Sequence, residues 1–295
     1  MQQRFVAGVT LVAIALPGAA MSVPAAAGAP KCPVFPAGNA WNRDVSASPV
    51  AANSDALIAS IGRDRSLHPD FSDQGRYGIP FNVVGKNQKT SRVRFEYADE
   101  SDRAPYPIPA RPKIERGGDR HILIIDKDRC RLFELFAARK VAGRWTAGSG
   151  AIFNLRSNKL RPLGWTSADA AGLPIFPGLA RAAEVQAGRI DHALRFTAPR
   201  TRKAFVFPAR HQAGSSNDPN LPPMGLRVRL KASVSLAGFG AQSRVVLQAL
   251  KRYGMILADN GSPWYITGAP SPSWDDDDLH ELGRITGADF EVVGA

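Results

Sequence analysis

Residues 226–234 read LRVRLKASV, and this stretch decides the class of fold. Leu226, Val228, Leu230 and Ala232 alternate with Arg227, Arg229 and Lys231. A period of two is that of a strand, and it predicts one apolar and one cationic face. Residues 92–97 repeat the pattern with Val93, Phe95 and Tyr97 against Arg92, Arg94 and Glu96. Residues 121–126 (HILIID) and 130–136 (CRLFELF) read as a hairpin across Lys127-Asp128-Arg129. Residues 190–197 and 203–208 are further strand candidates, and 255–258 reads as a buried strand.

Helical signals are fewer. Asn53-Ser54-Asp55 begins a short helix that Gly62 ends, and residues 242–253 form an amphipathic helix stopped by Gly254. A last helix spans 273–284, where Ser273 serves as N-cap and Asp275 to Asp278 sit in the first turn. Carboxylates there are favoured by the helix dipole, and the D-x-[DN]-x-[DN]-G spacing of a calcium loop is absent. Many short strands, Gly/Pro-rich connections and few helices predict a mainly β protein. The expected architecture is a single-domain β-sandwich or jelly-roll-like core with a few peripheral helices.

The chain of 295 residues carries a formal charge of +12, with 38 basic against 26 acidic residues and two cysteines. Two cysteines exclude a disulfide-dense miniprotein and a four-cysteine metal module. The positive excess concentrates in residues 189–252 and is opposed by an acidic tail. Residues 1–29 read as a signal peptide: Arg4 is followed by an apolar run over 6–16, then Pro17-Gly18 and small residues. Cleavage is expected after Ala27 or Ala29, leaving 30–295 as one secreted domain, extracellular or periplasmic. The apolar run is shorter than the about 20 residues that span a bilayer, so no stable membrane anchor is expected. Export makes Cys32–Cys130 an expected disulfide, worth about 4–5 kcal/mol in the chain-entropy view.

The chain has no G-x-S-x-G, Walker A, H-E-x-x-H or G-x-G-x-x-G motif, and no cofactor or metal is expected. In residues 189–196 (RIDHALRF), His192 shares a strand face with Ile190, Leu194 and Phe196, while Asp191 and Arg195 share the other. Such a histidine is ordinarily a hydrogen-bonded core residue; its functional alternative is a base or acid in a cleft. His211 lies at a strand-to-loop transition, where loop anchoring and site chemistry are equally open. Asp259 follows an apolar strand and precedes Asn260-Gly261, next to Trp264 and Tyr265. Its turn chemistry is ordinary, but a carboxylate at the open end of a buried strand can also act on a sugar. Asp191, Asp169 and Glu134 are available as a second carboxylate. Trp165, Trp264 and Tyr265 lie near Gly, Asn, Ser or Thr, where rings stack on sugars or plug a core.

The segments CPVFPAGNAWN (32–42), GWTSADAAGLPI (164–175), RIDHALRF (189–196), PARHQAGSSNDPNLPPMG (208–225) and YGMILADNGSPW (253–264) carry a resemblance. By them the chain resembles a widespread family of exported bacterial proteins of unassigned activity. The resemblance implies export and a one-unit architecture. A looser likeness to secreted actinobacterial proteins points to His192, Pro208-Ala209, Tyr253-Gly254 and Asp259.

The leading expectation is an exported carbohydrate-active enzyme, a glycosidase or polysaccharide lyase acting on a cell-wall or extracellular polysaccharide. Asp259 is its expected acid or nucleophile, and His192 or His211 its base. Asp191, Arg195, Arg210, Asn260, Trp165, Trp264 and Tyr265 are the expected substrate contacts, with the arginines gripping acidic sugar groups. The alternatives are a non-catalytic module that binds an anionic wall polymer through Arg227, Arg229 and Lys231, or a structural envelope protein. Nucleic acid is not an expected partner, since no RRM-like or helix-turn-helix pattern appears.

Overall fold

A computed structural model describes residues 32–71 and 75–294. The expected signal peptide and both cleavage positions lie outside the described residues. In chain order the elements are α1 (Ser54–Gly62), β1 (His68–Asp70), β2 (Phe81–Val84), β3 (Val93–Phe95), β4 (Ile122–Asp126), β5 (Arg131–Leu135), β6 (Arg139–Val141), β7 (Arg144–Ala147) and β8 (Gly150–Asn154). They continue with α2 (Ala182–Gln186), β9 (Leu194–Ala198), β10 (Arg227–Leu230), α3 (Ala241–Arg252), β11 (Met255–Asn260), β12 (Tyr265–Thr267), α4 (Asp276–His280) and β13 (Phe290–Val292).

The core is β-rich with helices at its periphery, as the strand periodicities predict. A six-stranded sheet runs β1-β12-β9-β11-β10-β13, a four-stranded one β2-β4-β5-β8 and a three-stranded one β3-β7-β6. All three are mixed: β1–β12, β9–β11, β2–β4 and β3–β7 pair in parallel. The predicted hairpin is β4–β5, and its turn leads into the Cys32–Cys130 disulfide, which has a Cα–Cα distance of 5.4 Å.

Two apolar clusters follow from side-chain alternation in the four-stranded sheet. Leu123, Ile125, Leu132 and Phe153 join the large core shared with the six-stranded sheet, while Ile122, Ile124 and Leu135 join a smaller one around Tyr106 and Phe95. In the six-stranded sheet, Phe196, Trp264 and Phe290 stack at centroid distances of 5.6 and 5.2 Å. Trp264 Nε1 donates to Gly62 O at the end of α1, so this sheet face is closed by that helix. Among the described residues no helix is long and apolar enough to cross a membrane.

Several expectations are corrected. Residues 203–208 form no strand and make only isolated pairings, such as Phe205 with Met224. The 190–197 strand begins only at Leu194. The acidic helix is capped by Asp275, not Ser273; Asp278 in turn accepts from Gln242 and Ser243 at the start of α3. Most consequential is the cationic face of β10. Arg227 is buried and donates to Tyr253, Ala40 and Arg43 carbonyls, Arg229 pairs with Glu291 at 2.7 Å, and Lys231 donates to Ala288 O. Because β10 lies between β11 and β13, with residues 40–46 against its arginines, its polar side meets protein rather than solvent.

Candidate active site

The site is built on Arg195, in a strand with neighbours on both sides. Its Nε and Nη2 grip both oxygens of Asp169 at 3.0 and 2.7 Å, and Nη1 donates to Thr267 Oγ1 at 2.6 Å. Both ion-pair members are buried, Asp169 at 0% side-chain exposure. Asp259 Oδ2 lies 3.8 Å from Arg195 Nη2. A β-bulge makes that approach possible. Leu257 pairs with Phe196, but Asp259 pairs with Thr197, so the register slips by one residue across Ala258. Paired residues share a face, and the slip therefore turns Asp259 onto the face that carries Thr197 and Arg195.

The register places two polar rows on that face. Tyr265 precedes Ile266, the partner of Phe196, and in the antiparallel register stands opposite Thr197, while Thr267 stands opposite Arg195. On the far side, His68 pairs with Tyr265 and Asp70 with Thr267. One row is thus His68, Tyr265, Thr197 and Asp259; the other is Asp70, Thr267 and Arg195. The first row is partly exposed along its whole length, while Arg195 and Thr267 are buried. Three strand spacings separate its ends, about 14 Å. At the His68 end the rings of His68 and Tyr265 meet at 4.1 Å, beside a cavity of ≈ 340 Å³ that Arg65 and His280 also line. Immediately before Tyr265, the buried Trp264 has φ +60°, a conformation rarely taken by a bulky residue. The stack with Phe196 and Phe290 holds it there, and such outliers gather at functional sites.

Burial pushes the Asp259 carboxyl up to about 7, reinforced by the negative Asp169; Arg195 and the Asn260 N–H pull the other way. Asp259 nonetheless keeps 32% of its side-chain surface in solvent, so its proton is accessible. Burial also raises Asp70, helped by Glu115 and opposed by His68 and Arg195. His68 is lowered by burial and by His280, and Asp70 opposes that. Arg195 is held more firmly protonated: burial opposes its charge, but Asp169 and then Asp259 and Glu115 outweigh it.

Behind this face lie further buried ionisable groups. Glu134 accepts from the N–H groups of Ile175 and Phe176 at 2.9–3.0 Å, yet burial drives its carboxyl up to about 7. His121 Nδ1 meets Glu115 at 2.5 Å and its Nε2 meets Ala168 O at 2.9 Å. Burial opposes the charge of each, but their mutual attraction wins, raising His121 and lowering Glu115.

The loop around Asp169 joins several residues singled out from the sequence. Ala171 N donates to Ala258 O, and Ala171 O receives the N–H groups of Arg210 and His211. His211 Nδ1 lies 2.8 Å from Ala170 O, and its Nε2 is 3.9 Å from Glu100. Arg210 Nε donates to Arg161 O, and Arg161 lies over the Trp165 ring at 5.5 Å. Asn260 Oδ1 accepts from Thr201. Thus Arg195, His211, Arg210, Trp165 and, through its neighbour Ala258, Asp259 are linked around residues 161–172, while Asn260 is tied to Thr201 and Ala213. Arg195 is nevertheless buried and forked onto Asp169 with Thr267 beside it, which removes its expected role of gripping a sugar carboxylate.

Three expected site residues fall elsewhere. His192 is buried ahead of β9, with Nδ1 2.8 Å from Ala193 O and Nε2 3.0 Å from Arg181 and 3.2 Å from Glu184. It is a satisfied core histidine. Asp191 is exposed and pairs with Arg189 at 2.7 Å. Trp264 is a core plug with 0% exposure, and Tyr265 alone of the two aromatics reaches the polar rows. Sequence reading passed over His68, Asp70, Glu115 and His121 as site residues, since none lies in a recognisable spacing. No family model, curated protein or solved structure matches the chain.

Proposed function

We propose that the chain is an exported carbohydrate-active enzyme, a glycosidase or polysaccharide lyase, with Asp259 as its general acid. The observation that carries this reading is a partly exposed carboxyl, raised to about 7, fixed beside a buried Arg195–Asp169 ion pair. A protonated carboxyl at neutral pH can give its proton to a departing glycosidic oxygen. The ion pair supports that role by setting the acid's position and by placing a negative charge behind it, which holds the proton on. The half-exposed Tyr265 and His68 rings, on the same row, suit an adjoining sugar ring. The leader over residues 1–29 and the disulfide favour export.

The wall-polymer module draws less support, because Arg227, Arg229 and Lys231 are spent on internal carbonyls and Glu291. A purely structural protein draws less support, because perturbed carboxyls near solvent cluster at functional sites. The test is to incubate residues 30–295 with pectin, alginate, xylan, chitin and peptidoglycan glycan strands, reading reducing ends and unsaturated products. One polymer should be cleaved, and Asp259→Asn should lower the rate about 100-fold or more without unfolding the protein. A wild type inert on every polymer overturns the reading.

A further inference from the structure

Beside Arg227 lies a cavity of ≈ 250 Å³ that no part of the proposed chemistry uses. Its walls are mainly apolar: Val206, Phe207 and Pro208 from one loop, Leu57 from α1, and Val292 and Val293 from the last strand and its end. Phe207 and Val206 are 55% and 38% exposed, so an apolar rim opens to solvent. Three arginines, Arg43, Arg202 and Arg227, also line it, and no aspartate or glutamate does.

These cations lack compensation. Arg227 is 7% exposed and is held only by the backbone carbonyls of Tyr253, Ala40 and Arg43. Burial, and then the like charge of Arg43, push its guanidinium down to about 10. Arg202 Nε is buried with no hydrogen-bond partner. Among the described residues neither Arg43 nor Arg202 has a carboxylate partner. Of the three only Arg227 is buried, and a buried positive charge without a counter-charge is costly. An anion bound in this cavity supplies a counter-charge.

The apolar walls add a second requirement. An inorganic anion would leave them unfilled, and a neutral hydrocarbon would leave the guanidinium groups unanswered. The volume lies below the range of drug-sized pockets, which limits the guest to one short chain. We propose that this cavity binds a medium-chain alkyl carboxylate, its head on Arg202 and Arg43 and its tail against Val206, Phe207 and Leu57. Guanidinium groups meet carboxylates through paired N–H donors, which the terminal nitrogens of Arg202 and Arg43 supply.

Calorimetric titration of the full mature chain tests this with octanoate, octanol, acetate and a short peptide ending in leucine. Octanoate should bind about tenfold or more tighter than octanol or acetate, a gap of about 1.4 kcal/mol. Arg202→Gln should weaken octanoate about tenfold and leave octanol unchanged; Arg43→Gln, at an exposed position, serves if that variant fails to fold. Absence of octanoate binding overturns the proposal, as do equal affinities for octanoate and octanol, or for octanoate and acetate. A leucine-ended peptide that binds tighter than octanoate would also overturn it. The outcome is independent of Asp259, which does not line this cavity.

Discussion

Replacing Asp169 by asparagine probes the ion pair on which the site rests. Asp169 and Arg195 are both buried, and their two contacts of 2.7 and 3.0 Å form a fork between guanidinium and carboxylate. Asparagine keeps the shape but removes the charge, leaving the Arg195 cation with Asp259, 3.8 Å away and 32% exposed, and the more distant influence of Glu115. Breaking a buried pair from one side costs about 3–5 kcal/mol. At roughly 2–4 °C per kcal/mol for a chain of this size, Tm falls by about 6–20 °C. The same change acts on Asp259 from the opposite direction. Asp169's negative charge raises the Asp259 carboxyl, and Arg195 lowers it. With Asp169 neutral, the first influence vanishes and the second is undiluted while burial stays, so Asp259 should titrate below 7. Urea unfolding gives the stability, and carboxyl-carbon NMR of the folded variant gives the titration. Changing Arg195 to methionine in the same chain should recover part of the loss, because no buried charge then remains, while the introduced amide and the Thr267 hydroxyl lose their partner. A loss below about 1 kcal/mol, or an unmoved Asp259, would refute the reasoning.

Other outcomes follow from buried groups and packing. Glu134, raised to about 7 from 4.5, keeps in the folded state a proton that the unfolded chain has lost. Its contribution is therefore full below about pH 4.5 and lost as pH rises through 7, on the order of 3 kcal/mol, and Glu134→Gln should flatten that slope in urea midpoints measured from pH 4 to 8. Removing the Cys32–Cys130 bond by paired serine substitution should lower stability by about 4–5 kcal/mol, since it closes a sequence separation of 98 residues. Trp264→Ala should cost about 3–5 kcal/mol in urea unfolding, as expected for a fully buried ring stacked on Phe196 and Phe290. Tyr265→Ala should leave stability within about 1 kcal/mol of wild type and instead raise KM for the cleaved polymer.

The β4–β5 hairpin, α3 and the disulfide were legible in the sequence because each depends on local periodicity, a terminating glycine or a pairing without competitors. Alternation, however, states only that two faces differ, not which of them is covered. On β10 the polar face looked free, yet residues 40–46 lie against its arginines and Glu291 of the neighbouring β13 pairs with Arg229. Arg195 was read as a ligand-facing cation for the same reason and proved to be the partner of Asp169, 26 residues away. The polar rows join β1 to β12 in parallel, so His68 and Asp70 reach Tyr265 and Thr267 from the other end of the chain. No spacing along one segment encodes such a meeting. The bulge at Ala258 is equally hidden, although it alone brings Asp259 to Arg195's face.

The most direct test of Asp259 as general acid is the pH dependence of kcat/KM on whichever polymer of the panel is cleaved. The alkaline limb should have its midpoint at about 7, the value at which Asp259 loses its proton. In Asp169→Asn that limb should move to lower pH, because the charge that holds the proton is gone. An alkaline limb that is absent, or that stays in place in Asp169→Asn, contradicts the assignment.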